Sequence, residues 1–391
     1  MENNQKTHKP KSAEKIQNSD RISSMHDAII YHIFSFLPTL YVVRTSILSK
    51  RWHNLWNSLP YVYFDDKSFT DANEIEQPEE IIRIKFRDLV NNFMSRRVSS
   101  TMPIIKFRLS THCLFDGSDI NEWIGAATRA GVQELDVRIG DIEFQNNLEY
   151  RFPSCLFNCT SLVTLKLSID DMMFHFPECF CFPNLKGMHL HAVILAKNFH
   201  HELMNCPNLE VLFLNRFSVD LDTLPSSNIF QDSTDEQHSK ILSNLDNAFI
   251  DVAFKSRLIG EALQYSEACL LNHLPTFCNL KHLDLELGSD NGNMVEKGHG
   301  ALKPKEFLSI SLPEKLKKIT VDDFWGTEKQ IEFVRLLFIN ELWEEIIVHL
   351  HSSAEDKILL REELLQFPRL SKLVLVYENS EEKVIEEIFP L

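Results

Sequence analysis

From Ile104 to the C-terminus, one apolar pattern recurs: an apolar residue, two spacers, a second apolar residue, one spacer and a third. The triad starts at Ile104, Val132, Leu162, Leu185, Leu209, Leu245, Leu280, Leu316, Trp343 and Leu370. In a chain that is 44% hydrophobic the bare triad arises often by chance, so its run-in carries the weight. Cys159-Thr160-Ser161-Leu162, Phe182-Pro183-Asn184-Leu185, Cys206-Pro207-Asn208-Leu209, Phe277-Cys278-Asn279-Leu280 and Phe367-Pro368-Arg369-Leu370 share a Cys or Phe, a turn and then Leu. A chain that turns sharply from an outer layer into a strand needs Pro, Asn or Ser for the turn and a compact apolar group for the corner. The strand then alternates sides. Starts lie between 23 residues apart (Leu162 to Leu185) and 36 (Leu209 to Leu245). This spacing predicts an irregular solenoid of the repeat type, with parallel strands on its concave face. Outer helices are expected in some repeats, including one over Ser118–Gly131 with Ser118 as cap and Trp123, Ile124 and Ala127 inward.

Ahead of this region, Asp20–Phe64 follows a helical rather than an alternating pattern. Ser24 followed by Asp27 resembles a capping box, which starts a helix at about Met25 that Leu37-Pro38 stops. Ile22, Ile29, Ile30, Ile33 and Leu37 form its apolar face. Thr39 or Leu40 opens a second short helix through Val42 and Val43, and Ser49 caps a third that carries Trp52, Leu55 and Trp56. Three short helices build only a small core of their own, so the excess of large apolar side chains must be covered by something else. At ~1.5–3 kcal/mol for each one fully buried, four or five could hold a partner helix or a neighbouring domain. Asp65–Glu80 is a polar linker, and Pro78 starts a helix to about Arg97 with Ile82, Phe86, Leu89, Val90 and Phe93 on one face. That helix is expected to cap the solenoid.

Five ordered blocks in the N-terminal segment carry a family likeness: Asp20-Arg21-Ile22-Ser23, Ile33-Phe34-Ser35-Phe36-Leu37-Pro38, Val43-Arg44-Thr45-Ser46, Leu48-Ser49-Lys50-Arg51-Trp52 and Leu55-Trp56-Asn57-Ser58-Leu59-Pro60. Together they resemble the F-box of plant F-box/leucine-rich-repeat proteins. One departure is Met25-His26-Asp27 where the family usually has Leu-Pro-Asp or Leu-Pro-Glu. Phe107-Arg108-Leu109-Ser110, Gly131-Val132-Gln133-Glu134-Leu135-Asp136 and Cys155-Leu156-Phe157-Asn158-Cys159-Thr160-Ser161-Leu162 look like the leucine-rich region of the same proteins. Leu316-Lys317-Lys318-Ile319 and Phe324-Trp325-Gly326-Thr327-Glu328, with the helix to Asn340, resemble their C-terminal FBD element. The resemblance implies an α/β chain in which a small all-α F-box precedes the solenoid. Its parts are a disordered tail (1–19), the F-box (20–64), a linker and capping helix (65–102), the leucine-rich-repeat solenoid (103–311) and FBD-like C-terminal repeats (312–391). It also implies docking on an SKP-family adaptor of a cullin-RING ubiquitin ligase, through Ile22, Met25, Ile29, Ile30, Ile33, Leu37, Pro38 and Val43.

With 40 basic against 56 acidic residues the net charge is −16, which argues against a nucleic-acid binder. No run approaches a membrane span and no apolar h-region opens the chain, so a cytoplasmic or nuclear protein is expected. Its eight cysteines are expected to be reduced and mostly buried. The glycines of Gly292–Gly300 have neither P-loop nor dinucleotide spacing. Cys179-x-Cys181 with His189-x-His191 alternates along strands and closes no tetrahedral zinc set, so those cysteines read as core residues. No catalytic constellation, metal or cofactor is expected.

The spacers between the triads should instead line a face roughly 43 Å long for ten strands. Phe213 and Phe249 stand out there, flanked by His189, His191, Asp251, Asp284 and Glu286. This patch is the expected substrate site, suited to a basic segment of a target protein. The reading is therefore a non-catalytic substrate adaptor. Its alternatives are a small-molecule co-receptor of the same architecture, which would need a basic pocket, and a ligase-independent scaffold.

Overall fold

A computed structural model describes residues 25–48, 50–69, 78–97, 102–113, 115–140, 142–143, 150–170, 173–196, 199–219, 245, 247–252, 280–287, 315–326, 328–339, 344–351, 357–367, 371–378 and 383–389. The expected tail (1–19), the docking residue Ile22, the caps Ser24 and Ser49, Cys269, Cys278, the polar excursion 222–240 and Gly292–Gly300 lie outside the described residues.

The strands are β1 (Tyr61–Asp65), β2 (Lys106–Thr111), β3 (Phe115–Asp116), β4 (Glu134–Ile139), β5 (Ile142–Glu143), β6 (Thr164–Ile169), β7 (Phe174–His175) and β8 (Gly187–Leu195). They continue with β9 (Val211–Val219), β10 (Asn247–Val252), β11 (His282–Leu287), β12 (Lys318–Phe324), β13 (Glu345–Leu350), β14 (Lys372–Glu378) and β15 (Lys383–Ile388). Thirteen form one sheet in the order β1-β2-β4-β6-β8-β9-β10-β11-β12-β13-β14-β15, with β7 beside β8, while β3 and β5 pair separately. Every neighbouring pair in the large sheet is parallel except β14–β15. Each of the ten triads runs into one of its strands, in unbroken register from Leu135 opposite Leu165 to Leu283 opposite Ile319. Inward positions such as Phe107, Leu135, Leu165, Met188, Leu212, Leu283, Ile319, Ile346 and Leu373 are fully buried.

The turns into the strands explain their composition. Two successive N–H groups at each entry converge on one carbonyl of the strand before: Gln133 and Glu134 on Ile105, Val163 and Thr164 on Gln133, Lys186 and Gly187 on Val163, Glu210 and Val211 on Lys186. The run-in side chains add a second rung. Ser161 Oγ donates to Val132 O (2.7 Å), Asn184 Nδ2 to Thr160 O (2.9 Å) and Asn208 Nδ2 to Pro183 O (2.7 Å). Asn and Ser thus tie each repeat to its predecessor by satisfying carbonyls that would otherwise lack partners.

Helices α1 (Asp27–Phe34), α2 (Thr39–Arg44) and α3 (Lys50–Leu55) occupy the N-terminal segment. Helix α1 is shorter than the apolar spacing predicts. His26 sits in extended backbone as its cap, and its Nδ1 accepts from Ala28 N at 3.2 Å. The segment is not all-α: Tyr61–Asp65 is a strand that pairs with Lys106–Ser110, because Val62 and Phe64 alternate inward like every later strand. Nor is the stretch after β1 a free linker from its first residue. Asp66 is buried and accepts from His112 N (2.6 Å), Cys113 N (2.7 Å) and His112 Nδ1 (2.8 Å).

Helix α4 (Glu79–Arg97) then packs Ile82, Phe86, Val90 and Phe93 inward. Phe93 meets Trp56 and Phe64, with ring centroids 5.6 and 5.4 Å apart, while Phe86 meets Phe115 and Trp123 at 5.3 and 5.7 Å. One core therefore runs from the N-terminal helices into the sheet. Arg97 closes the seam by donating to Asn57 O, Met102 O and Pro103 O. Burial pulls its pKa down to about 10. Helix α5 (Gly117–Arg129) is capped two residues before the expected Ser118, because the carboxylate of Asp116 accepts from Ser118 N (2.8 Å) and takes that role; Gly131, at φ 71°, ends the turn after it.

Candidate functional site: an exposed helical face and a concave cleft

The N-terminal helices turn two faces in opposite directions. Ile30 and Phe34, one α-helical turn apart, point into the core with Val42 and Trp52, and the rings of Phe34 and Trp52 meet edge to face at 5.3 Å. Ile29 and Ile33, also one turn apart, face out. Outward as well are Phe36 (73% exposed), Tyr41, Ile47 (87%) and Leu48 (61%). Among the expected docking residues, Ile29 and Ile33 are thus exposed, and Met25, Leu37, Pro38 and Val43 are half-buried. Ile30 is a correction. It lies 100° around α1 from Ile29 and is fully buried, so it supports the face from behind. The helical pattern does not single out Phe36, Tyr41, Ile47 and Leu48, although the surplus of apolar residues in a segment this short is their signal.

The second feature is a cleft of about 420 Å³ on one face of β2, β4, β6, β8 and β9. Arg138, Lys166, His189, His191 and Phe213 all line it. The register explains their meeting: Lys166 stands opposite Asp136 and His189, and His189 stands opposite Phe213. The rings of His189 and Phe213 lie 5.7 Å apart at 31°. Burial, and then the ammonium of Lys166, hold the pKa of His189 below its usual range against a smaller opposing pull from Asp136, so at neutral pH the ring is uncharged. Beyond His191, Ala192 adopts a left-handed φ of 58°, and the in-out alternation of β8 reverses there.

The expected substrate patch is brought together only in part. His189, His191 and Phe213 share the cleft. Phe249 and Asp251 are in register on β10, Phe249 directly opposite Phe213, and Glu286 is on β11, but their side chains lie outside the described residues. Asp284 is not open for a basic ligand. His282 Nε2 lies 2.8 Å from its carboxylate and 2.7 Å from Thr320 Oγ1. Burial would raise the Asp284 pKa, but these partners and Lys318 outweigh it and hold the carboxyl below its usual range. Asp136, expected on the open face, is buried and salt-bridged to Arg108 at 2.8 Å.

Of the described cysteines, Cys113, Cys159 and Cys206 are buried, whereas Cys155, Cys179 and Cys181 are exposed rather than in the core. Burial pushes the thiols of Cys113 and Cys206 up to about 12. The one cluster of potential metal ligands among the described residues is Asp65, Asp66 and His112. There the donors are already committed to hydrogen bonds: Asp65 accepts from Tyr63 Oη (2.8 Å) within β1, and Asp66 pairs with His112 Nδ1 (2.8 Å). No helix among the described residues is long and apolar enough to cross a membrane.

Comparison with known families finds that the helical segment is similar to an F-box and the sheet that follows it to the leucine-rich repeats of plant F-box/LRR/FBD proteins. The F-box domain family matches residues 22–63, and the leucine-rich repeats of the FBD-associated F-box protein At5g56370 match residues 120–237. Among individual relatives, all from Arabidopsis thaliana, F-box/FBD/LRR-repeat protein At1g13570 is 25% identical over 91% of this chain and 97% of its own. F-box/FBD/LRR-repeat protein At4g26340 is 33% identical over 52% of this chain and 45% of its own, and F-box/LRR-repeat protein At3g58900 is 30% identical over 56% and 65%.

Proposed function

We propose that this chain is the target-binding subunit of an SCF-type cullin-RING ubiquitin ligase. In this reading the helical segment docks on an SKP-family adaptor and the concave face of the sheet holds a target protein. The observation that carries the reading is the placement of Ile29, Ile33, Phe36, Tyr41, Ile47 and Leu48 in water, all within the F-box segment. Burying such side chains against a partner releases roughly 1.5–3 kcal/mol each, which makes them adaptor anchors rather than ordinary surface. Met25, Leu37, Pro38 and Val43 flank them, and Ile22 precedes them in the chain. The chemistry belongs to the partners. The chain contributes by tethering, which raises the effective concentration of target lysines near the charged conjugating enzyme.

Co-expression with an SKP-family adaptor tests this reading. Wild-type chain and the variant Phe213→Ala should co-purify with the adaptor, whereas Ile33→Asp combined with Ile47→Asp should not, with the melting temperature of the double variant within a few degrees of wild type. Unchanged adaptor recovery in the double variant would overturn it.

A further inference from the structure

On the same face of the N-terminal half as the cleft, acids and bases are matched strand to strand. Lys106 reaches Glu134 at 2.9 Å and Arg108 reaches Asp136 at 2.8 Å. Arg138 adds a longer second contact to Asp136, at 3.4 Å, and keeps 62% of its side chain in water. Lys166, on the next strand, has neither an ion pair nor a hydrogen bond with any described residue. Asp170, the other carboxylate of the cleft lining, is itself engaged in an interaction. The far half of the sheet is different. Among the described residues its acids Asp284, Asp322 and Glu345 are held by their own neighbours: Asp284 by His282, Asp322 by His349 at 2.9 Å, and Glu345 by Lys318 and Lys372 at 3.4 and 3.3 Å.

Lys166 and the largely exposed Arg138 thus present cationic groups in the cleft, on a chain of net charge −16. Beside them lie Ser168, which can donate a hydrogen bond, and the neighbouring, mutually tilted rings of His189 and Phe213. A cationic point next to an aromatic wall recognises an anionic group joined to an apolar one. The cleft lies on a strand surface that continues on both sides, which suits an extended segment more than a compact ligand.

We infer that this cleft takes an acidic peptide segment of the target protein, with a carboxylate or phosphate at Lys166 and Arg138 and an adjoining apolar side chain against Phe213. The inference rests on the adaptor reading for its biological meaning and replaces the basic segment that the acidic spacers of the sequence imply. It also accounts for selectivity. The overall negative charge turns away acidic proteins in general, and only a segment that reaches this point meets a positive one.

The test uses full-length chain co-purified with its adaptor and a random dodecapeptide display library, panned at low and at physiological salt. Peptides enriched in Asp or Glu next to an aromatic or aliphatic residue are expected. Their recovery should fall roughly tenfold on Lys166→Glu, with a smaller loss for Lys166→Ala, and weaken with salt. Synthetic copies of the selected peptides, with each acid replaced by Gln or by phosphoserine, separate the two sources of the anion: the Gln form must lose binding, and whichever charged form binds tighter is the source. Enrichment in Lys or Arg, neutral peptides, no enrichment at all, or recovery unaffected by Lys166→Glu would each overturn the inference, as would displacement of the peptide from a site elsewhere on the face. Adaptor co-purification, read in the same preparations, separates the two proposals. If the adaptor is retained while acidic peptides fail, only this inference falls; if acidic peptides bind while the adaptor is absent, only the ligase reading falls.

Discussion

His189 shows how a single side chain in the cleft responds to its surroundings. Burial and the nearby Lys166 disfavour the imidazolium, so the folded protein holds this ring neutral more firmly than the unfolded chain does. In the unfolded chain a histidine takes up its proton near pH ~6.5. The stability contributed by neutral His189 is therefore complete above that pH, and is lost as pH falls from there toward the lowered folded value. Urea denaturation at pH 7 and pH 5 should show the variant His189→Gln losing less stability than wild type over that interval. An equal loss in both proteins would mean that the ring is not depressed. A bound anion acts in the opposite sense, because it favours the protonated ring. At the same scale His26 is instructive: it fills a position where the family usually has Pro, and its Nδ1 caps α1, a role that demands the neutral tautomer with the proton on Nε2.

At the scale of elements, the ten triad strands were legible because each has an alternating core and five of them add a turn run-in, and both signals come from residues close in sequence. β1 escaped because Val62 and Phe64 come directly after Leu59-Pro60 and count with the helical surplus, while the partner that makes them a strand, Lys106–Ser110, lies some forty residues on. β15 escaped for the reverse reason. Its exposed Ile385 and Glu387 weaken the contrast between its faces, and only antiparallel pairing with β14 defines it. Of the cleft, the histidines and Phe213 were readable as spacers, but the free charge of Lys166 was not. Whether a lysine is paired depends on which neighbouring carboxylate is already taken, and here Arg108 takes Asp136.

The clamp between the turn after β1 and the end of β2 was equally hidden, since Asp66 reads as one more acid in a polar stretch. Its carboxylate satisfies two backbone N–H groups and the His112 ring. Asp66→Ala should lower unfolding stability by about 2–4 kcal/mol, because buried donors left without a partner cost about 1–3 kcal/mol apiece. A denaturation midpoint within error of wild type would show that water replaces the carboxylate.

Across the whole molecule, the consequence of this clamp, of Arg97 and of the aromatic chain Trp56–Phe93–Phe64–Phe86–Trp123 is mechanical continuity between the N-terminal helices and the face of the sheet that bears the cleft. An adaptor tethered through a loose linker would present its target over a wide range of positions, diluting the effective concentration that makes transfer efficient. A fused core holds the cleft at a fixed offset from the exposed face of Ile29 and Ile33. The same continuity predicts how the chain unfolds. Of the five tryptophans, Trp52 and Trp56 report on the helical segment and Trp123 on the flank of the sheet once Trp325 and Trp343 are replaced by Phe, whereas far-ultraviolet circular dichroism reports on the helices and strands together. If the segment were an independent domain, tryptophan fluorescence would change before the bulk of the dichroism. With Phe93 packed on both Trp56 and Phe64, the two signals should fall in one transition near the N-terminal end, and Phe93→Ala should lower that transition by roughly 3–5 kcal/mol in both probes together. A variant in which fluorescence alone shifts, leaving the dichroism where it was, would show that the N-terminal helices are hinged to the sheet rather than built into it.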